Sequence, residues 1–189
     1  VIALELDKKR IIALTEKRES SLKDIKKVGL KGYLINLIGA YIEKKLGRLV
    51  GVKPGSEMLK AIELSKKYNS KIDLIDQDIS ITLKKLTRIS WKEKFKIIKD
   101  ILKGLIFKKD IIKFDLTKVP SQEFINKVIN KVKRDYPDIY DILIKERNYI
   151  MAKALYKIVN DNKDKKILAI LGAGHEKEVI KLIRNMDNN

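Results

Sequence analysis

Cysteine is absent from the chain, which excludes disulfides and every metal site built on thiolate sulfur. Histidine occurs once, at position 175, so any imidazole chemistry passes through that one side chain. Long apolar runs are missing as well. The longest candidate, residues 34–42, is far short of the roughly 20 residues needed to cross a bilayer and is flanked by lysines. The chain opens on an apolar run that reads as a strand rather than as a signal peptide. Aromatics make up 6% of the residues, and no aromatic-studded strand, arginine cluster or recognised nucleic-acid motif is present.

The 189 residues are expected to form a single domain, 1–189, with hydrophobic content ordinary for a chain that buries a sizeable core. The net charge of +18 raises nucleic acid as a partner. Lysine and isoleucine dominate everywhere, however, and the lysines are spread over every helical stretch. The charge therefore reads as compositional bias, with no specific nucleic-acid partner expected. Attraction to an acidic membrane surface is an equally open use of it.

Three short apolar runs read as strands: Val1 to Leu6, Lys71 to Ile75 and Lys166 to Leu171. All lack strict alternation, as central strands covered on both faces do. The stretches between them read as helices. Asp7 is placed to cap a helix over 8–17, and a glycine-bearing helix spans 22–46. Pro54-Gly55-Ser56 starts a helix over 57–68. Ser90-Trp-Lys-Glu93 has the form of a capping box and opens a helix with the apolar stripe Trp91, Phe95, Ile98, Leu102 and Leu105. Pro120-Ser121 starts another, and a long helix runs over 138–159. Strands separated by helices imply parallel pairing. The fold class is α/β and helix-rich: a small, mainly parallel central sheet flanked by helices, with a long helical insertion at about 79–159. Three strands make a thin sheet, so a further strand is expected to be missing from it.

Ligands of such sheets sit beyond the carboxyl ends of the strands. Gly172-Ala-Gly-His175 follows the third strand, but it is not a dinucleotide fingerprint, because Lys177 stands where a third glycine is required. The glycines instead permit a tight turn that places His175 at the first turn of a helix, to bind a metal, orient an anion or simply cap. Glu5 lies on an otherwise apolar strand and shares a face with Val1 and Ala3. A carboxylate there must be paired or metal-bound unless the strand has already ended. Asp76 and Asp78 follow the second strand. Asp78 reads as an N-cap, and Asp76 is freer to face the crevice. Arg147 falls on the apolar stripe Leu143, Ile150, Ala154 and Ile158, so its guanidinium needs a carboxylate partner, either Glu5 or Asp76, or else a substrate anion. Trp91 with Lys92, Lys94, Lys96 and Lys99 admits a membrane-surface helix. The preferred reading is a core stripe with a solvated lysine face.

Taken in order, the segments VIALELDKKRIIAL at 1–14, LGRLVGVKPGSEMLKAIELSKK at 46–67, DLIDQDISITLKKL at 73–86, KERNYIMAKAL at 145–155 and ILAILGAGHEKEVIKLI at 167–183 resemble the TraB/PrgY family. These are the pheromone-shutdown proteins related to the TIKI metalloproteases. The resemblance implies an α/β fold with a divalent-metal site built from two Gly-x-x-His motifs, a strand glutamate and an Arg-Asn step. Gly172 and His175 match the second Gly-x-x-His, Glu5 the glutamate, and Arg147 and Asn148 the Arg-Asn step. The family's first Gly-x-x-His and its strand lie upstream of the VIALELD strand, so this chain is expected to be a fragment lacking that strand and histidine. Family members often continue into C-terminal membrane helices, which implies a membrane-anchored full-length protein.

The leading expectation is a metal-dependent peptidase or hydrolase. Mn²⁺, Co²⁺ or Zn²⁺ would be held by Glu5, His175 and the absent histidine, as suits nitrogen and oxygen donors. Glu5, Arg147, Asn148 and His175 are its candidate catalytic residues, with Asp76 and Gly172 alongside. Arg147 would hold an oxyanion or substrate carboxylate, and Asn148 would orient it. The alternatives are a non-catalytic module in which Arg147 grips the terminal carboxylate of a sequestered peptide, and a homodimer or membrane-surface domain with the helix over 22–46 as its seam.

Overall fold

The computed structural model describes residues 1–16, 55–106 and 121–188. The expected helix over 22–46 and its dimer seam lie outside the described residues. So does Pro54, and so do the side chains of Ile98, Leu102 and Leu105.

All three expected strands form, each shorter than its apolar run: β1 (Ile2–Leu4), β2 (Ile72–Leu74) and β3 (Leu168–Ile170). They make one parallel sheet in the order β2-β1-β3. β1 is central, with Ala3 level with Asp73 on one side and Ala169 on the other. The helices are α1 (Lys8–Thr15), α2 (Ser56–Lys67), α3 (Ile79–Leu86), α4 (Trp91–Ile106), α5 (Gln122–Asp135), α6 (Pro137–Tyr140), α7 (Glu146–Asp161) and α8 (Glu176–Asp187). The α/β architecture expected from the sequence is the one observed. No described helix is long and apolar enough to cross a membrane.

Alternation along β1 builds two cores. Ala3 points to one face, where Ile75 after β2, Met151, Ala152 and Leu155 of α7 and Val179 of α8 close over it. Leu4 and Leu6 point to the other, against Met58, Ala61 and Ile62 of α2. Removing a large buried side chain of this kind, such as Met151, to alanine costs about 2–5 kcal/mol. α7, the last helix of the long stretch between β2 and β3, thus packs on the sheet.

Three readings of the sequence change. The helix expected over 138–159 is instead α6, a five-residue π-helical turn (Asp141–Lys145) and α7 in unbroken succession. The Trp91–Phe95 stripe is not core among the described residues. Trp91 is 68% exposed and Phe95 66%, with the two rings 6.1 Å apart and Lys94 over the indole. The capping box is half formed. Ser90 Oγ accepts from the Glu93 amide, but the Glu93 carboxylate accepts from the amides of Asp138 and Ile139, and the Ser90 amide donates to Asp138. Each helix start is capped by the other's acid, which ties α4 to α6.

Candidate functional site

Each strand delivers one group to the carboxyl edge of the sheet. The ladder runs past the strand ends, with Glu5 N donating to Ile170 O and Asp76 N to Leu6 O, so the residues after the strands are held as firmly as those in them. Glu5 follows β1 and stays on the Ala3 face, as alternation required. Asp76 follows β2, and Gly172 follows β3. α7 presents Arg147 and Asn148 from its first turn, immediately after the π turn. Such turns are frequent at functional sites because they displace the following side chains from the ordinary helical path. α8 begins at His175, whose amide closes the glycine turn on Gly172 O at 2.8 Å.

These residues form one connected cluster. Arg147 donates from Nε to Asp76 Oδ1 at 2.9 Å and from Nη2 to Asp76 Oδ2 at 2.7 Å. The same Nη2 reaches Glu5 Oε1 at 2.5 Å, and Nη1 reaches the carbonyl of Leu143 in the π turn at 3.2 Å. Glu5 Oε2 accepts from the Gly172 amide at 2.5 Å. Asp76 also accepts from its neighbour's amide at Gln77 and from Arg10 Nη1 at 3.2 Å. The Asp76 carboxylate is only 2% exposed. Burial opposes charge on Arg147, yet the bonds to Asp76, with that carboxylate's charge and Glu5's, hold its pKa above the ordinary arginine value. This is a buried bidentate pair with a second acid shared at one nitrogen.

His175 completes the cluster. Its Nδ1 lies 2.6 Å from Asn148 Oδ1, and its Nε2 lies 3.4 Å from Glu5 Oε1. It makes no side-chain cap to α8. Burial lowers its pKa below the usual value; Glu5 and Asp76 pull upward, while Arg147 and Arg10 push further down. Asn148 Oδ1 only accepts, so a neutral ring donates Nδ1–H in that contact, and its Nε2 lone pair then faces a carboxylate oxygen. Two lone pairs that close repel unless a proton or a cation lies between them.

Glu5, Asp76, Arg147, Asn148, Gly172 and His175, all singled out in the sequence, therefore meet in one place. Asp7 does not join them. Its carboxylate caps α1 through the amides of Lys9 and Arg10 and reaches the amide of Ile79. Asp78 caps α3, as expected. Arg10 went unnoticed in the sequence, where it looks like one more helix-surface cation. The only hint is its place three residues after the cap Asp7, in the turn that faces the strand ends.

A parallel α/β sheet with a buried guanidinium–carboxylate–imidazole cluster at its carboxyl edge is the class of protein defined here. The chain matches the TraB/PrgY/gumN family over residues 1–188 and belongs to that family. It is 39% identical over 196 residues to the uncharacterized protein MJ1365 of Methanocaldococcus jannaschii, a match covering 99% of this chain and 47% of that protein. The chain thus spans about half the length of the relative it matches. No solved structure matches.

Proposed function

We propose that the cluster is half of a divalent-metal site in a hydrolase acting on peptides. The observation that carries this is the facing pair of His175 Nε2 and Glu5 Oε1, with the other nitrogen already tied to Asn148. A carbonyl or amide fixing the far nitrogen of a ligand histidine is the usual support for metal binding. Among the described residues there is no group of three or more His, Cys, Asp or Glu side chains that would cage an ion. The pair supplies two donors, and the third would come from the upstream Gly-x-x-His that the family resemblance implies. Mn²⁺, Co²⁺ and Zn²⁺ suit such donors. When bound, the ion supplies Lewis-acid polarisation of a carbonyl and a more acidic water.

The chain's own residues have distinct parts. Arg147 and the Gly172 amide grip the two oxygens of Glu5 and fix its rotamer. Asn148 fixes the tautomer of His175. Arg147 and Asn148 are thus positioning residues, and every nitrogen of Arg147 is engaged within the protein. With four of its five N–H groups bonded inside the protein, Arg147 fits a positioning part better than a grip on an oxyanion or on the terminal carboxylate of a sequestered peptide. Kinship to TIKI-type proteases and membrane anchoring of the longer protein belong to the same proposal.

Titration of Mn²⁺, Co²⁺ and Zn²⁺ by calorimetry tests it, on this chain and on a version extended upstream through the first Gly-x-x-His. Saturable binding is expected in the extended protein, weakened more than about 100-fold by His175→Ala, since that removes a ligand rather than a ligand's support. Equal binding with and without His175 would sink the metal reading.

A further inference from the structure

With Arg147 engaged, a different guanidinium is left to meet a substrate. Arg10 lies in the first turn of α1, oriented by the Asp7 cap, and touches the cluster from outside through its one bond from Nη1 to Asp76 Oδ2. Its side chain is 38% exposed, beside a carboxylate that is almost wholly buried. Among the described residues, Nε and Nη2 of Arg10 have no bonded partner. One of its three nitrogens is thus anchored, and the other two carry no bond among the described residues. That is an arrangement suited to a second carboxylate, because a guanidinium takes two acids on different edges and the first already fixes its plane.

The charge balance points the same way. Glu5 and Asp76 contribute two negative charges and Arg147 and Arg10 two positive, all joined in one hydrogen-bonded set. The internal pairs use Arg147 fully and Arg10 in part. The unspent donors therefore lie on Arg10, whose side chain is partly exposed.

We propose that Arg10 is the anion-recognition residue of this site, and that it binds a carboxylate of the peptide substrate, in the first place the free α-carboxylate at its C-terminus. This rests on the peptide reading of the site and narrows it to cleavage or binding near a C-terminal end. The test uses the whole protein in EDTA, so that binding is read without turnover. The probes are N-terminally fluorescein-labelled hexapeptide pools in three forms: free acid, C-terminal amide, and amide carrying one internal glutamate.

Fluorescence anisotropy should show the acid binding about tenfold or more tighter than the plain amide, a loss of one charge-assisted contact. Arg10→Gln should abolish that preference and Arg10→Lys should keep part of it, with thermal unfolding confirming the fold of each variant. An Arg10-dependent preference for the glutamate-bearing amide supports the carboxylate subsite and assigns its source to a side chain. Equal binding of all forms, no measurable binding by the wild type, or a preference that survives Arg10→Gln overturns it. Cleavage is read separately, by peptide mass after Mn²⁺ or Zn²⁺ is restored. Acid preference without cleavage removes the hydrolase reading and leaves the Arg10 subsite standing. Cleavage of acid and amide alike, indifferent to Arg10, does the reverse.

Discussion

His175 Nδ1 and Asn148 Oδ1 lie 2.6 Å apart, joining the start of α8 to the first turn of α7 inside the core. The contact decides which nitrogen of the single histidine faces Glu5. Asn148→Ala should leave a buried N–H without an acceptor and lower stability by about 1–3 kcal/mol. It should also weaken metal binding about 10–100-fold, as loss of a ligand's support does. Nitrogen chemical shifts of the imidazole report the tautomer directly. A ring that keeps its proton on Nδ1 in the alanine variant would show that Asn148 does not set it. Asn148→Asp should restore the tautomer.

Gly172 and Glu5 make a second close approach. A Cβ on Gly172 would sit 3.2 Å from Glu5 Oε2 and 3.6 Å from His175 Cδ2. The Gly172 backbone is not in the left-handed region, so Gly172→Ala meets no φ penalty. The gain of about 0.4–1 kcal/mol from a stiffer unfolded chain should roughly offset the contact. The expected result is a nearly unchanged Tm with metal affinity reduced several-fold, because the carboxylate must shift. Gly55 offers the contrast. Its φ is 79° and a Cβ would fall 2.7 Å from Leu14 Cδ2, so Gly55→Ala should destabilise by about 1–2 kcal/mol and leave the distant site's affinity alone. Similar effects of the two substitutions on affinity would argue against a special role for Gly172.

The sheet was legible because apolar runs without alternation mark strands covered on both sides, and all three carry that mark. The site was legible for a related reason. Glu5 on an apolar strand and Arg147 on an apolar stripe each break the local pattern, and charges in such places must find each other. Arg10 breaks no pattern. Its importance comes from the direction in which Asp7 starts α1, which is a tertiary fact. The π turn at 141–145 is equally silent, since Asp-Ile-Leu-Ile-Lys satisfies a helical period as well as a wider one. Trp91 and Phe95 misled for the opposite reason: their spacing fits a buried stripe, but periodicity shows only that a face is apolar, not that anything packs on it.

Asp76 holds two guanidiniums of very different exposure, which makes their contributions separable. Asp76→Asn should leave Arg147 partly uncompensated in the interior, at a loss of about 3–5 kcal/mol. Arg10→Gln breaks only a half-exposed pair and should lose no more than about 1 kcal/mol. Urea denaturation with unchanged m-values measures both. Equal losses would mean that the Asp76–Arg147 pair is solvated in the folded protein. Replacing both members, Asp76→Leu with Arg147→Met, should recover part of the stability lost in Asp76→Asn while weakening metal binding about 10–100-fold, because Glu5 then loses one of its two clamps.

Burial keeps the folded-state pKa of His175 below the unfolded value near 6.5. Above about pH 6.5 the ring is neutral in both states and pH has no effect through it. As the pH falls below that value, the unfolded chain takes up a proton that the folded chain refuses. Stability therefore declines, by at most about 1.4 kcal/mol per pH unit for one group, and levels off once the folded ring also protonates. Urea denaturation between pH 5 and 8 should show this slope in the wild type on the acid side of 6.5. His175→Gln should remove it while retaining the shallower slopes of the carboxylates. Parallel curves for the two proteins would place the His175 pKa at its ordinary value. The Nε2 nitrogen would then be protonated toward Glu5 in mildly acid solution, and the facing pair would be an ordinary ion pair rather than a site awaiting a cation.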